Sequence, residues 1–379
     1  MKIALIGTRG VPARYGGFET CAEELGRRLA RRGHEVWVYC RSGYYGRRTG
    51  FFEGMRLVYL PALPIKFFET PSHTALSLLH ILRRRFDILM VFNLANSPLL
   101  FLARRPGERI ALHLDGLEWT REKWRGPGRM YYQFAARLAT RLPVPLISDS
   151  REIQKYFRRR FGRGTEYISY GASIEESRHP ALLEPFDLRP GSYFLQMARF
   201  EPENNILLTI RAFEKLETKM RLALVGGTTY RSKYADEVFA TKDPRIRFLG
   251  FCYDRDVLRE LRTNAFAYIH GNEAGGTNPG LLQAMGAGCF VIARDVPFNR
   301  EVCGDGAVYF QKHIGELKEK MAWALAHRAE LEPPKIRARQ IIRARYNWDA
   351  VTLDYERLFE RICPKRKASR GSVARGAGE

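Results

Sequence analysis

Short apolar runs alternate with amphipathic stretches along most of the chain. KIALIG at 2–7 reads as a buried strand, and the loop TRGVPARYGG separates it from a stretch of helical period at about 18–32 that stops at Gly33. The runs EVWVYC, RLVYL, ILMVF, RIALHL and PLIS read as further strands, with a short one at Tyr167-Ile168. Helices are predicted between them at about 73–84, just after Pro98, at 129–142 and at 151–161. Such alternation implies a parallel sheet with helices on both faces. Residues 171–191 break into prolines and charges without periodicity, the mark of a linker. A second series then starts: YFLQMA, a helix at 206–216, RLALVGG, a helix at 233–240, IRFLG, a helix from Asp254, AFAYIH and CFVIA. Three further helices, at about 314–327, 334–345 and 348–361, have no strand between them and could pack back across the first half.

The predicted organisation is α/β, with two Rossmann-like doubly wound domains, 1–170 and 192–345, joined by the linker 171–191. A C-terminal helix within 346–363 returns to the first domain, and the basic tail 364–379 has a disordered composition. Two such domains form a cleft between the carboxyl edges of their sheets, where open α/β sheets bind ligands.

Composition narrows the picture in three ways. The 379 residues are 45% hydrophobic, yet no run of about 18 apolar residues occurs, and Met1-Lys2 leads straight into a strand, so a cytoplasmic location is expected. Six scattered cysteines without a C-x-x-C pair are expected to be reduced and buried, and no metal site is expected. The net charge is +22, with arginine clusters at 27–32, 83–85, 104–105 and 158–160. Several clusters sit at helix ends, where cations suit the dipole. The remaining excess attracts polyanions: nucleic acid, an anionic membrane face or phosphorylated substrates.

Candidate chemistry centres on HGNEAGGTNPGLLQAM at 270–285, a strand end, a loop and a helix start. Pro279 suits the first helical position, Asn278 or Thr277 can cap the free amides, and Gly275 and Gly276 let an anion reach the backbone. This is a phosphate site or an ordinary capped turn. A dinucleotide site is disfavoured: the first loop reads G-T-R-G, not G-x-G-x-x-G, and the second strand ends Tyr39-Cys40-Arg41 without the acid that holds a ribose. Gly16 and Gly17 end a long loop able to bend over a neighbouring ligand. Asp115, just past the strand RIALHL, is a site candidate or a turn residue. Arg199, past YFLQMA, is a second charged contact for the same phosphates, or an ion pair with Glu201 or Glu203. Phe251 and Tyr253 stand where a base could stack, or belong to the core. Asp254-Arg255-Asp256 opens a helix, so its acids are read as caps rather than metal ligands.

ARFEPENN and GGTNPGLLQ resemble two hallmarks of the family 4 retaining glycosyltransferases of GT-B fold, a G-R-x-x-x-E-K-G turn and an E-x7-E helix start. GTRGVPARYGGFET, HLDGLEW and ISYGA are similar to the first domain of a bacterial rhamnosyltransferase-like branch of that family. The resemblance runs from residue 1 to about 362. It implies transfer of a sugar, rhamnose by this branch, from a nucleotide-diphosphate donor to an acceptor on the first domain, with retention of configuration and with no cofactor or essential metal. The departing phosphate itself helps deprotonate the acceptor, so no flanking carboxylate pair is required, unlike in a glycosidase. By the same resemblance Arg199 binds the diphosphate, Gly276, Thr277 and Asn278 hold it or the sugar, Gly16 and Gly17 approach from the opposite domain, and Asp115 positions the reacting groups. Three positions depart from the family pattern: Asn204 replaces the lysine, and Gly275 and Gln283 replace the two glutamates. Glu273 is the acid available to compensate.

The implied acceptor is a lipid-linked or polysaccharide glycan of the cell surface, met at the anionic inner face of a membrane. Two other readings remain: a catalytically impaired homologue that binds a sugar nucleotide, and a basic nucleic-acid-binding protein. The last requires aromatics among the basic residues, which the clusters at 27–32 and 83–85 lack, so no nucleic-acid partner is expected.

Overall fold

Pairing of the apolar runs yields two separate sheets. The computed structural model describes residues 1–14, 16–65, 68–103, 109–114, 116–120, 126–228 and 232–364. The first sheet contains β1 (Lys2–Ile6), β2 (Glu35–Arg41), β3 (Phe51–Phe52), β4 (Met55–Leu60), β5 (Ile88–Phe92), β6 (Arg109–His113), β7 (Leu146–Ser148) and β8 (Glu166–Tyr167), in the spatial order 3-4-2-1-5-6-7-8. All pairs are parallel except β3 with β4. Helices α1 (Gly17–Arg31), α2 (Glu69–Ile81), α3 (Pro127–Arg141) and α4 (Arg151–Phe161) connect these strands, with a 3-10 helix over Leu94–Ala103. The central strands read as unbroken apolar runs because helices cover both of their faces.

The second sheet contains β9 (Tyr193–Met197), β10 (Arg221–Val225), β11 (Ile246–Gly250), β12 (Ala267–His270), β13 (Val291–Arg294) and β14 (Ala307–Phe310), all parallel, in the order 11-10-9-12-13-14. Its helices are α5 (Ile206–Glu214), α6 (Lys233–Phe239), α7 (Arg255–Thr263), α8 (Pro279–Gly286) and α9 (Pro297–Cys303), followed by α10 (Ile314–Ala326), α11 (Glu332–Arg345) and α12 (Trp348–Ile362). The strand order reverses between β9 and β12, so Arg199 and the loop before α8 leave neighbouring strand ends.

Of the three C-terminal helices, only α12 packs on the first half. α10 buries Leu317, Met321 and Ala324 in the core of the second sheet, and α11 packs on α8. α12 lies along α1, burying Tyr355, Leu358 and Phe359, while Arg28 pairs with Asp349 at 2.9 Å and Arg32 with Glu356 at 2.7 Å. The chain therefore passes between the two halves twice, and the passages lie side by side. The Ala172 amide donates to the Tyr346 carbonyl at 2.7 Å, Ala172 bridges to Asn347, and a Cβ at Gly171 would come 2.7 Å from the Trp348 ring.

The stretch read as a linker is anchored to the second sheet's layer. Glu260 of α7, fully buried, accepts hydrogen bonds from the Ser177 hydroxyl (2.5 Å), the amides of Arg178 (2.8 Å) and His179 (3.0 Å), and the Asn264 side chain (2.9 Å). Leu183 and Leu188 are buried in the same segment. All six cysteines are free, but Cys252 and Cys363 are only half-buried, since each lies just outside a regular element. No helix of the described residues is long and apolar enough to cross a membrane.

Candidate active site

The loop from β12 to α8 takes its shape from its cap and its glycines. Asn278 caps α8, its Oδ1 accepting from the amides of Gly280 (2.9 Å) and Leu281 (3.4 Å), and Pro279 occupies the first turn where no amide is missed. Gly275 has φ +130°, a conformation open to glycine. Small residues here admit the opposite sheet. A Cβ on Gly116 would come 2.8 Å from Gly275 Cα, and one on Gly276 would come 2.2 Å from Asp149 Oδ1. The buried Thr277 hydroxyl donates to the Asp149 carbonyl at 2.5 Å. The two carboxyl edges thus meet at this loop.

The amino end of α1 faces that of α8. Gly16 caps α1 in extended conformation without a side-chain cap, and a Cβ on Gly17 would lie 3.3 Å from Pro279 and 3.6 Å from Tyr170. The preceding loop is pinned by α1 itself: the buried Glu19 accepts from the Arg9 amide at 2.8 Å and the buried Glu23 from the Ala13 amide at 2.6 Å. Two helix amino ends, each with a partial positive charge, therefore converge at one point, and the first-turn amides of α1 have no side-chain cap.

Arg199 is half-buried beyond β9. Its carbonyl accepts from the Asn204 side chain at 2.8 Å, and the Asn204 carbonyl accepts from Gln196 at 2.9 Å. Asn204, itself buried, thus uses its amide to turn the loop that presents Arg199. The Glu273 amide donates to the Glu203 carbonyl at 2.9 Å, and its carboxylate binds Arg294 at 3.1 Å and Lys312 at 2.9 Å. Burial pushes the Glu273 carboxyl upward, but these two cations outweigh it and hold the group below its ordinary range. Gln283 is half-buried on α8. Phe251 and Tyr253 are exposed, not core, with parallel rings 6.3 Å apart, and Phe251 lies against Gly227 at the exit of β10. Asp254 caps α7, accepting from the amides of Asp256 and Val257. Asp115 lies outside the described residues.

Four residues at the junction were not singled out from sequence. Asp149 follows β7, and the placement of an acid just past an apolar run could have flagged it. His113, at the end of β6, stacks parallel to Tyr170 at 5.6 Å, and burial pushes it down to about 3; His270, at the end of β12, is pushed down to about 3 in the same way. Both imidazoles are therefore neutral near pH 7. Glu301 of α9 reaches the amino end of α4, accepting from the Ser150 hydroxyl (2.7 Å), the Arg151 amide (2.8 Å) and the Glu152 amide (3.3 Å). No sequence signal could have paired residues so far apart. Beside this latch a groove of about 640 Å³ is walled by Arg151 and Lys155 on one side and by Asp295, Arg300 and Gln311 on the other.

Residues 16–171 match the family model "glycosyl transferase 4-like domain", and residues 189–346 match "glycosyl transferases group 1". Between them the two models take in most of the chain. The chain belongs to the glycosyltransferases. No curated protein matches it by sequence. Solved structures share the fold of this glycosyltransferase at low identity. A sucrose-phosphate synthase from Thermosynechococcus elongatus aligns with TM-score 0.80 and 18% identity over 95% of this chain and 98% of its own. HepE from Anabaena, solved with UDP and glucose, aligns with TM-score 0.77 and 16% identity over 95% and 100%. WaaG, a glycosyltransferase involved in lipopolysaccharide biosynthesis, aligns with TM-score 0.70 and 15% identity over 96% and 100%. The architecture is GT-B: two Rossmann-like α/β domains face each other.

Proposed function

We propose that this glycosyltransferase moves a sugar from a nucleoside diphosphate to a lipid-linked or polysaccharide acceptor at an anionic membrane surface, with retention of configuration. The observation that carries the reading is the convergence of the amino ends of α1 and α8 at Gly17 and Pro279. The paired helix dipoles, with the uncapped amides of α1, favour a diphosphate beside them and stabilise the charge that grows on it as the sugar departs. Arg199 supplies a fixed positive charge from the neighbouring strand end. Phe251 and Tyr253 stack on the base, Gln283 meets the ribose, and Glu273, fixed by Arg294 and Lys312, receives a hydroxyl of the donor sugar. Asp115 positions the reacting groups. Contact between the two carboxyl edges at Gly116, Asp149, Gly275 and Gly276 keeps water from the reacting bond. HepE, similar in fold, was solved with UDP and glucose, which agrees with such a donor. The sugar is rhamnose and the product a surface polysaccharide, by the resemblance of the first half to the rhamnosyltransferase-like branch.

A second reading is favoured by one observation: Asn204, where relatives carry lysine, spends its amide on the Arg199 carbonyl. With fewer cations the protein would bind a sugar nucleotide without turning it over. The test is a thermal-shift screen against dTDP, UDP, GDP, CDP, ADP and NAD, followed by transfer assays with the matching sugar donor. One nucleoside diphosphate raising the midpoint, with sustained turnover, is the expected result. A shift with NAD alone overturns the proposal, and binding without turnover selects the second reading.

A further inference from the structure

Exposed apolar side chains are unevenly placed on this protein. Among the described residues, ten of the sixteen large hydrophobic side chains left exposed lie between residues 63 and 134. Six of them form one outer surface: Leu76 and Leu79 on α2, Phe101 and Leu102 at the end of the 3-10 helix, and Met130 and Phe134 on α3, each between 38% and 70% exposed. The inner side chains of these elements, including Leu78, Leu100 and Ala135, share one core on the first sheet. The Ser97 hydroxyl donates to the Ala135 carbonyl at 2.8 Å and the Tyr131 hydroxyl to the Ala95 carbonyl at 2.7 Å, and α2 packs on the other side of the 3-10 helix. The outward sides are therefore contiguous. A patch of this kind on a folded surface marks an interaction site.

Its rim is basic. Arg83, Arg84 and Arg85 follow α2, and Arg129, Arg137 and Arg141 line α3, all exposed. The arginine cluster of α1, by contrast, is matched with acids: Arg27 and Arg28 with Glu24, Arg31 with Glu53, Arg32 with Glu356. Among the described residues no acid is paired with the six arginines of the rim.

We infer that this face docks on an anionic lipid bilayer, the apolar side chains entering the interface and the arginines meeting the phosphates of the headgroups. A second copy of the chain is a poorer occupant, because a twofold contact through this face sets arginine against arginine. Arginine flanking exposed Leu, Phe and Met is the composition of an interfacial anchor. All three elements begin at the carboxyl edge of the first sheet, so lipid beneath them borders the cleft. For its purpose the inference rests on the proposed lipid-linked acceptor; for its geometry it does not.

The test is flotation of the full chain with vesicles of phosphatidylcholine alone and of phosphatidylcholine mixed with phosphatidylglycerol. Binding to the mixed vesicles is expected, with partition falling about tenfold or more for L79N/F134N. R83Q/R84Q/R85Q is expected to weaken binding at low salt and to lose that difference as salt screens the headgroups. The substituted side chains are exposed, so unchanged unfolding midpoints verify the fold. Absence of wild-type flotation, or L79N/F134N floating like wild type, overturns the inference. So does self-association in sedimentation that L79N/F134N abolishes, which would make the face a contact between copies. Transfer to a soluble acceptor analogue without flotation sinks only the docking; flotation without any nucleotide response sinks only the transfer reading.

Discussion

Glu260 offers the sharpest test of how the segment between the sheets is held. It is fully buried and receives five hydrogen bonds, three of them from Ser177, Arg178 and His179 and the others from Asn264 and Arg259. Burial alone would push its carboxyl up, but the donors outweigh burial and bring it from 4.5 to about 2. A fall of that size corresponds to about 3 kcal/mol of stability. Because the folded value lies below the unfolded one, this stabilisation is complete above about pH 4.5 and drains away as pH falls toward 2. Glu260→Gln removes the charge and turns an amide NH2 toward groups that are themselves donors. A loss of about 3 kcal/mol near neutral pH follows, or roughly 6–12 °C in unfolding midpoint. Calorimetry of both proteins from neutral pH down to about pH 3 makes the comparison, and the gap between them should narrow through the acid range. A gap that stays constant with pH, or is under about 0.5 kcal/mol at neutral pH, refutes the reasoning.

Gly276→Ala places a methyl within 2.2 Å of Asp149 Oδ1, so it is expected to force the two edges apart, raise the radius of gyration in solution scattering and abolish transfer, while Gly276→Ala with Asp149→Ala recovers part of both. Glu301→Gln weakens the link to the amino end of α4 and should cost about 1 kcal/mol, read as a drop of about 2–4 °C in unfolding midpoint. An unchanged midpoint would show that this carboxylate carries no net stability. Phe251→Ala removes an exposed ring and should leave the midpoint unchanged, while weakening nucleoside diphosphate binding by about 1–2 kcal/mol in calorimetric titration.

The strands were readable wherever a run of five or so apolar residues met a turn signal, as in ILMVF and RLALV, because burial on both faces erases polar alternation. Helix starts were readable where a capping side chain announced them, as Asn278 and Asp254 do. β14 and α9 were not: α9 has no capping side chain to announce it, and the apolar run of β14 is only AVYF. The three C-terminal helices were readable as helices, but an apolar stripe states that a face is buried, not which neighbour buries it. At the site, the meeting of Gly16 and Gly17 with the loop at 275–279 concerns residues more than 250 apart, which a spacing rule cannot join. Asn204 shows a subtler point. Its place in the motif makes it a donor-side candidate, and the structure adds that its amide holds the loop that carries Arg199.

The two passages of the chain between the sheets run together at Ala172 and Asn347. A body tethered at two separated points can only flex, whereas one tethered at two adjacent points swings like a door. Any opening of the edges around Gly275 should then be close to a single rotation about that bridge, widest at the rim farthest from it. A cross-link or stiffening substitution at residues 172 and 347 would arrest exchange of nucleotide and acceptor while leaving every group in the cleft unaltered.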